Sequence, residues 1–155
     1  QQSTGTINSF RAAIKQQESS GGTNLGTGSA IGQYGHMWTD KGIQQLIQKY
    51  KPGISKEQYK YDFETQDKVQ TDLENEYDQV ISKYPNLKNK ETGRALIHFL
   101  GQSDGELYLN VLTNGGSYDE AQKTVDQSIL NRTGKPNPNK ITVEEYLNKF
   151  NSLIQ

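Results

Sequence analysis

Gln16-Gln17-Glu18-Ser19-Ser20-Gly21-Gly22, followed by Gly28-Ser29-Ala30-Ile31-Gly32-Gln33-Tyr34, is the stretch on which the reading of this chain turns. Upstream of it, Ile7, Phe10, Ala13 and Ile14 recur at helical spacing, which predicts a helix over residues 8–18 with Asn8 or Ser9 at its cap. Gly21-Gly22 ends that helix. Residues 19–35 are rich in glycine and poor in large apolar groups, the composition of a loop or small hairpin. Glu18 therefore stands in a last helical turn, where the backbone holds its carboxylate firmly and a small-residue loop leaves room for a bulky polymer. Two readings are open for it. It is a solvated surface glutamate, or it is a carboxyl whose burial favours the protonated form, so that it serves as a general acid near neutral pH.

Working outward, the apolar periodicity continues almost without interruption. Thr39 or Asp40 caps a helix carrying Ile43, Leu46, Ile47 and Tyr50 on one face, and Lys51-Pro52-Gly53 stops it. Ser55 caps a short turn over residues 56–61. A long helix over residues 64–83 turns Val69, Leu73, Tyr77, Val80 and Ile81 to the core and ends at Tyr84-Pro85; its charged residues, from Asp62 to Asp78, read as a solvated face. Residues 90–100, with Ala95, Leu96 and Phe99, are expected to form the most buried helix. Further helices are predicted over residues 104–113, 118–130 and 143–153, with Ser117 as a cap and Thr142 and Glu145 as a capping box. Residues 133–140 form a surface connection. No repeat recurs at a fixed period. The reading is one mostly helical α+β domain over residues 8–155, preceded by a polar, linker-like tail over residues 1–7.

Composition narrows the function classes. With 155 residues the chain suffices for one core, and with 31% hydrophobic residues and a mean hydropathy of -0.90 that core must be lean. Nine tyrosines supply ring area with a polar tip. A net charge of -1 offers no concentrated basic surface, which argues against a nucleic-acid partner. No apolar run approaches the ~20 residues of a bilayer span. Absence of cysteine excludes disulfides and thiol catalysis. The two histidines, His36 and His98, lack metal-ligand spacing, so no metal and no cofactor is expected. A chain that starts on Gln1 without Met reads as processed or as an excised domain of a larger protein.

Glu18-Ser19, the Gly/Ser/Asn-rich stretch and Ala30-Ile31-Gly32-Gln33-Tyr34 together resemble the catalytic segment of the lysozyme-fold lytic transglycosylases, most closely the phage virion-associated, tape-measure-type members. Arg94-Ala95-Leu96-Ile97-His98-Phe99-Leu100-Gly101, then Ser103-Asp104-Gly105-Glu106-Leu107-Tyr108-Leu109, is similar to the family's third motif in its phage form. The resemblance covers roughly residues 8–115. Gly35 departs from the pattern where many members carry glutamine, and Phe99 stands where cellular members have tyrosine.

What the resemblance implies is a lysozyme-like fold with a small β-hairpin beside the catalytic helix, and cleavage of the MurNAc–GlcNAc β-1,4 bond of peptidoglycan. Glu18 would be the sole acid and base, and the product a 1,6-anhydro-MurNAc end. Ser19, Ser20, Gln33, Tyr34, His98, Gln102 and Tyr108 would meet the glycan. It also implies a virion-associated protein acting in the periplasm or cell wall, or a secreted one; near-neutral charge fits an enzyme delivered by a larger particle rather than steered to an anionic wall.

Residue by residue, the blander readings stay beside these. Tyr34 stacks on a pyranose or packs under the loop; Trp38 lines the cleft or the core; His98 is a cleft residue or a satisfied core histidine. Asp40, Asp62, Glu64 and Asp104 are the candidates for a second carboxylate, which a hydrolytic muramidase would need. None adjoins Glu18 in sequence, and Asp40 reads first as a helix cap. A hydrolase and a non-catalytic glycan-binding virion module are the alternatives.

Overall fold

The computed structural model describes residues 7–154, with side chains from Phe10 onward. The amphipathic spacing of the first segment becomes helix α1, Ile7–Ser19, which buries Phe10, Ala13 and Ile14. It starts one residue earlier than the spacing suggests, so Asn8 and Ser9 lie within the helix rather than capping it. The expected tail, apart from Ile7, lies outside the described residues.

The glycine-rich segment condenses into a two-stranded antiparallel sheet, β1 (Ala30–Ile31) and β2 (His36–Met37), with Ala30 opposite Met37 and Ile31 opposite His36. Residues 32–35 turn the chain between them. Gly32 and Gly35 hold φ of +82° and +64°, conformations that a residue with a Cβ rarely adopts. The rest of the described chain is helical: α2 (Lys41–Tyr50), α3 (Lys56–Tyr61), α4 (Phe63–Ile81), α5 (Lys90–Leu100), α6 (Gln102–Thr113), α7 (Tyr118–Thr133) and α8 (Val143–Leu153). Helices with a minor antiparallel sheet make this an α+β chain, mostly α.

Local chemistry sets the boundaries. Asp40 caps α2 by accepting the Ile43 N–H at 3.0 Å. Ser55 with Gln58, Ser117 with Glu120 and Thr142 with Glu145 form reciprocal capping boxes at α3, α7 and α8. Gly134, left-handed at φ +71°, closes α7 three residues beyond the expected end. No helix among the described residues is long and apolar enough to cross a membrane.

The described chain divides into two compact units, one ending at Glu76 and the other running from Tyr77 to Leu153. In the first, α4 keeps Glu64, Asp67, Lys68 and Glu76 exposed, as the solvated charged face suggests, and of that charge series buries only Glu74. Gln66, Gln70 and Glu74, each one helical turn from the next, are buried beside Val69 and Leu73. In the second, α5 packs against α6 and α8, α6 packs against α7, and six α5 residues are buried. Arg94 is clamped there by Asp78, with Nε 2.7 Å from Oδ1, and lies 3.3 Å from Glu91. Phe99 stacks on Tyr146 with centroids 4.1 Å apart.

Candidate active site around Glu18

Glu18 sits one residue from the end of α1 and is half-buried. Gly35 lies directly against it: a methyl group built on Gly35 would come within 3.1 Å of Oε1, 3.2 Å of Cβ and 3.4 Å of Cγ of Glu18. The two sequence segments that carry the functional expectation therefore meet in space, and the glycine at 35 is what allows the backbone to approach the carboxylate this closely.

Ser19 ties the helix end to this turn. Its hydroxyl proton is shared between Gln33 O at 2.7 Å and Lys15 O at 2.9 Å, and its oxygen accepts the Gly22 N–H at 2.9 Å. Its carbonyl collects the N–H groups of Gly22, Thr23 and Asn24. These bonds satisfy the last turn of α1 and launch the loop. Ser20 follows in the left-handed region at φ 51° with its side chain exposed.

Beneath the turn lies a polar network that sequence reasoning missed. Gln66 accepts the Gln33 N–H at 2.9 Å and donates to Tyr59 O at 2.5 Å and Lys60 O at 3.1 Å, locking the turn to α3. A Cβ on Gly32 would strike the Gln66 amide at 2.8 Å, so Gly32 is as necessary to this contact as Gly35 is to the one with Glu18. His36 lies between Tyr59 Oη, 2.7 Å from Nδ1, and Gln70 Oε1, 2.9 Å from Nε2. Gln70 Nε2 donates to Glu74, so its Oε1 faces the histidine as acceptor. A neutral His36 then carries its proton on Nε2 and accepts the Tyr59 hydroxyl proton on Nδ1.

The chain ends on Glu74, buried and held by Arg11 through Nη2–Oε1 at 2.7 Å and Nε–Oε2 at 3.1 Å. The Glu74 hydrogen bond and charge hold the Arg11 guanidinium even more firmly protonated than usual, against the opposing effect of burial. Burial pushes the Tyr59 phenol well above its ordinary range, so its proton stays available to donate.

Gln33 and Tyr34 are 1% and 2% exposed, and their polar atoms serve the protein itself. Gln33 Nε2 donates to Asp67 Oδ1 at 2.8 Å and to Phe63 O at 3.3 Å; Tyr34 Oη donates to the same Asp67 oxygen at 2.5 Å. Burial, then the Asp67 hydrogen bond and charge, drive the Tyr34 phenol far above its ordinary range and keep it a donor. In this structure Ser19, Gln33 and Tyr34 support the site from below instead of offering polar atoms to a glycan. The reason is geometric: a turn bracketed by two left-handed glycines folds its middle residues inward.

Trp38 is half-buried, with its ring 6.0 Å from that of Tyr59. His98, Gln102 and Tyr108 belong to the second unit. His98 is half-buried with Nδ1 3.0 Å from Tyr77 Oη, Gln102 is exposed and reaches Glu106, and Tyr108 is wholly buried. The four carboxylates considered as catalytic partners all have other attachments. Asp40 caps α2, Asp62 accepts the Thr65 N–H and hydroxyl, Glu64 is exposed beside Lys68, and Asp104 pairs with Arg132.

The first unit thus defines a helix-end carboxylate covered by a glycine turn and braced by a buried polar network. Compared with protein-family models, with curated proteins and with solved structures, the chain has no match.

Proposed function

We propose that this chain is a peptidoglycan lytic transglycosylase with a lysozyme-like fold, cleaving the MurNAc–GlcNAc β-1,4 bond with Glu18 as its single catalytic residue. The observation that carries the reading is the seating of Glu18 against Gly35, because it joins the two segments on which the resemblance rests. Glu18 donates its proton to the glycosidic oxygen as that bond to C1 of the muramyl residue breaks. Its carboxylate then takes the proton of the C6 hydroxyl as O6 closes on C1. The products are a free GlcNAc hydroxyl and a 1,6-anhydro-MurNAc end, and Glu18 is returned protonated. One group serves both steps, with no water nucleophile and no second carboxylate.

The attachments of Asp40, Asp62, Glu64 and Asp104 support this one-carboxylate scheme over a hydrolytic one, which holds its two carboxyls ~5–10 Å apart across the scissile bond. The site acts on cell-wall glycan in the periplasm or wall, carried there by a virion or a larger secreted protein.

The test is mass spectrometry of the soluble products released from purified sacculi by the wild type and by Glu18→Gln. Anhydro-MurNAc ends from the wild type, absent with the variant, are the expected result. Cleavage that survives Glu18→Gln would sink the assignment, and reducing-end products would replace transglycosylation with hydrolysis.

A further inference from the structure

Turning Gln33 and Tyr34 inward has a chemical consequence on the outside of the molecule. Both side chains spend a donor on one oxygen, Oδ1 of Asp67, at 2.8 and 2.5 Å. Asp67 itself is exposed. A surface carboxylate ordinarily turns freely about two side-chain bonds; this one is pinned by two donors whose own residues are almost completely buried. Among the described residues no donor reaches its other oxygen, Oδ2. The result is an immobilised acceptor with lone pairs directed at solvent.

Its place along the helices is informative too. Arg11 of α1 reaches α4 at Thr71 and Glu74. Two turns further along α1 stands Glu18, and two turns back along α4 stands Asp67. Between them runs the four-residue turn, whose last residue lies on Glu18 and whose middle residues hold Asp67. One turn therefore fixes two carboxylates, the first half-buried and the second in water.

We propose that Asp67 is a glycan-binding residue, its free carboxylate oxygen accepting hydrogen bonds from sugar hydroxyl or N-acetyl N–H groups of the strand presented to Glu18; this rests on the peptidoglycan reading of that site. Fixing the carboxylate beforehand removes the rotamer entropy that a mobile aspartate would lose on binding. Hydrogen bonds to a charged acceptor are among the stronger ones, and losing one corresponds to about a 10-fold or greater loss of affinity. Asp67 would bind and orient the strand without exchanging protons with it.

The experiment measures calorimetric binding of soluble, uncleaved peptidoglycan strands to Glu18→Gln protein, with and without Asp67→Asn, alongside KM and kcat of Asp67→Asn in the otherwise wild-type chain. Asparagine still accepts from Gln33 and Tyr34 but replaces the free acceptor oxygen with an amide that donates. Weaker binding by about 10-fold, a matching rise in KM, unchanged kcat and an unchanged melting temperature are expected. Tyr34→Phe, which removes one of the two donors that pin the carboxylate and leaves Gln33 Nε2 in place, should weaken binding by a smaller factor.

Wild-type affinity in Asp67→Asn would overturn the proposal. So would a collapse of kcat at constant KM with reducing-end products, which would make Asp67 the second carboxylate of a hydrolase. Strands that fail to bind Glu18→Gln protein at all would also overturn it. Strands that bind through Asp67 but are never cleaved by the wild type would leave this inference standing while refuting the enzymatic one.

Discussion

Gly35→Ala tests the contact on which the functional reading depends, and its effect divides into two parts. The first is conformational: at φ +64° an alanine is strained by about 1 kcal/mol relative to glycine. The second is steric. The new methyl would meet Oε1 of Glu18 at 3.1 Å, which the carboxylate can relieve by rotating, but also Cβ at 3.2 Å, which moves only with the end of α1. Overpacking of this kind costs about 1–3 kcal/mol, so with the conformational part the variant should lose about 2–4 kcal/mol.

Gly53→Ala isolates the first part. Gly53 has φ +79° with nothing within 4 Å of a built Cβ, so it should lose only about 1 kcal/mol. The rates should separate further than the stabilities. A reacting group displaced by about 1 Å costs on the order of 100-fold in rate, so Gly35→Ala should release soluble muropeptides from labelled sacculi at least about 10-fold more slowly, whereas Gly53→Ala should match the wild type. Urea unfolding and initial release rates measure the two quantities on the same preparations. If Gly35→Ala behaves like Gly53→Ala in both, the turn does not control Glu18 and the reasoning fails.

Removing the Gln66 amide with Gln66→Ala strands the buried Gln33 N–H, takes the side-chain donor from the Lys60 carbonyl and leaves the Tyr59 carbonyl with the Asp62 N–H alone, and should cost about 2–4 kcal/mol in urea melts; a loss under about 1 kcal/mol would show that the turn is held by other means. Arg11→Met leaves Glu74 as a buried charge with only the Gln70 amide for support, an expected loss of about 3 kcal/mol, and adding Glu74→Gln should restore much of it; a double variant no more stable than the single one would contradict that account. In the second unit, burial raises the Glu91 carboxyl above its usual 4.5, outweighing the nearby Arg94 charge. An acid with a raised folded pKa stabilises the fold while protonated, below 4.5, and that contribution disappears as pH rises through the raised value. Stability relative to Glu91→Gln should therefore fall as pH increases from about 4.5, and a difference that stays flat or climbs with pH would contradict the assigned direction.

Much of the secondary structure was legible in the sequence because its signals are local. Ser55, Ser117, Asp40 and the Thr142–Glu145 pair announce helix starts by their own side-chain chemistry, and they cap those helices in the structure. Val69, Leu73, Tyr77, Val80 and Ile81 are buried as their spacing requires. The glycine-rich composition of residues 19–35 reads as a loop or a small hairpin; the structure makes it a hairpin, with Gly32 and Gly35 taking the left-handed backbone of its turn without strain.

What the sequence could not decide is which way the polar residues point. Gln66, Gln70 and Glu74 on a charged helix look solvated until a partner is known to cover them, and their respective partners, Gln33, His36 and Arg11, lie 33, 34 and 63 residues away. The same holds for Gln33 and Tyr34, which look like ligand groups in a loop and become internal donors once α4 supplies Asp67 as an acceptor. Local periodicity and capping are properties of neighbouring residues, so the sequence by itself determines them. A buried polar network exists only when distant segments exclude water from one another, and only the tertiary structure decides that.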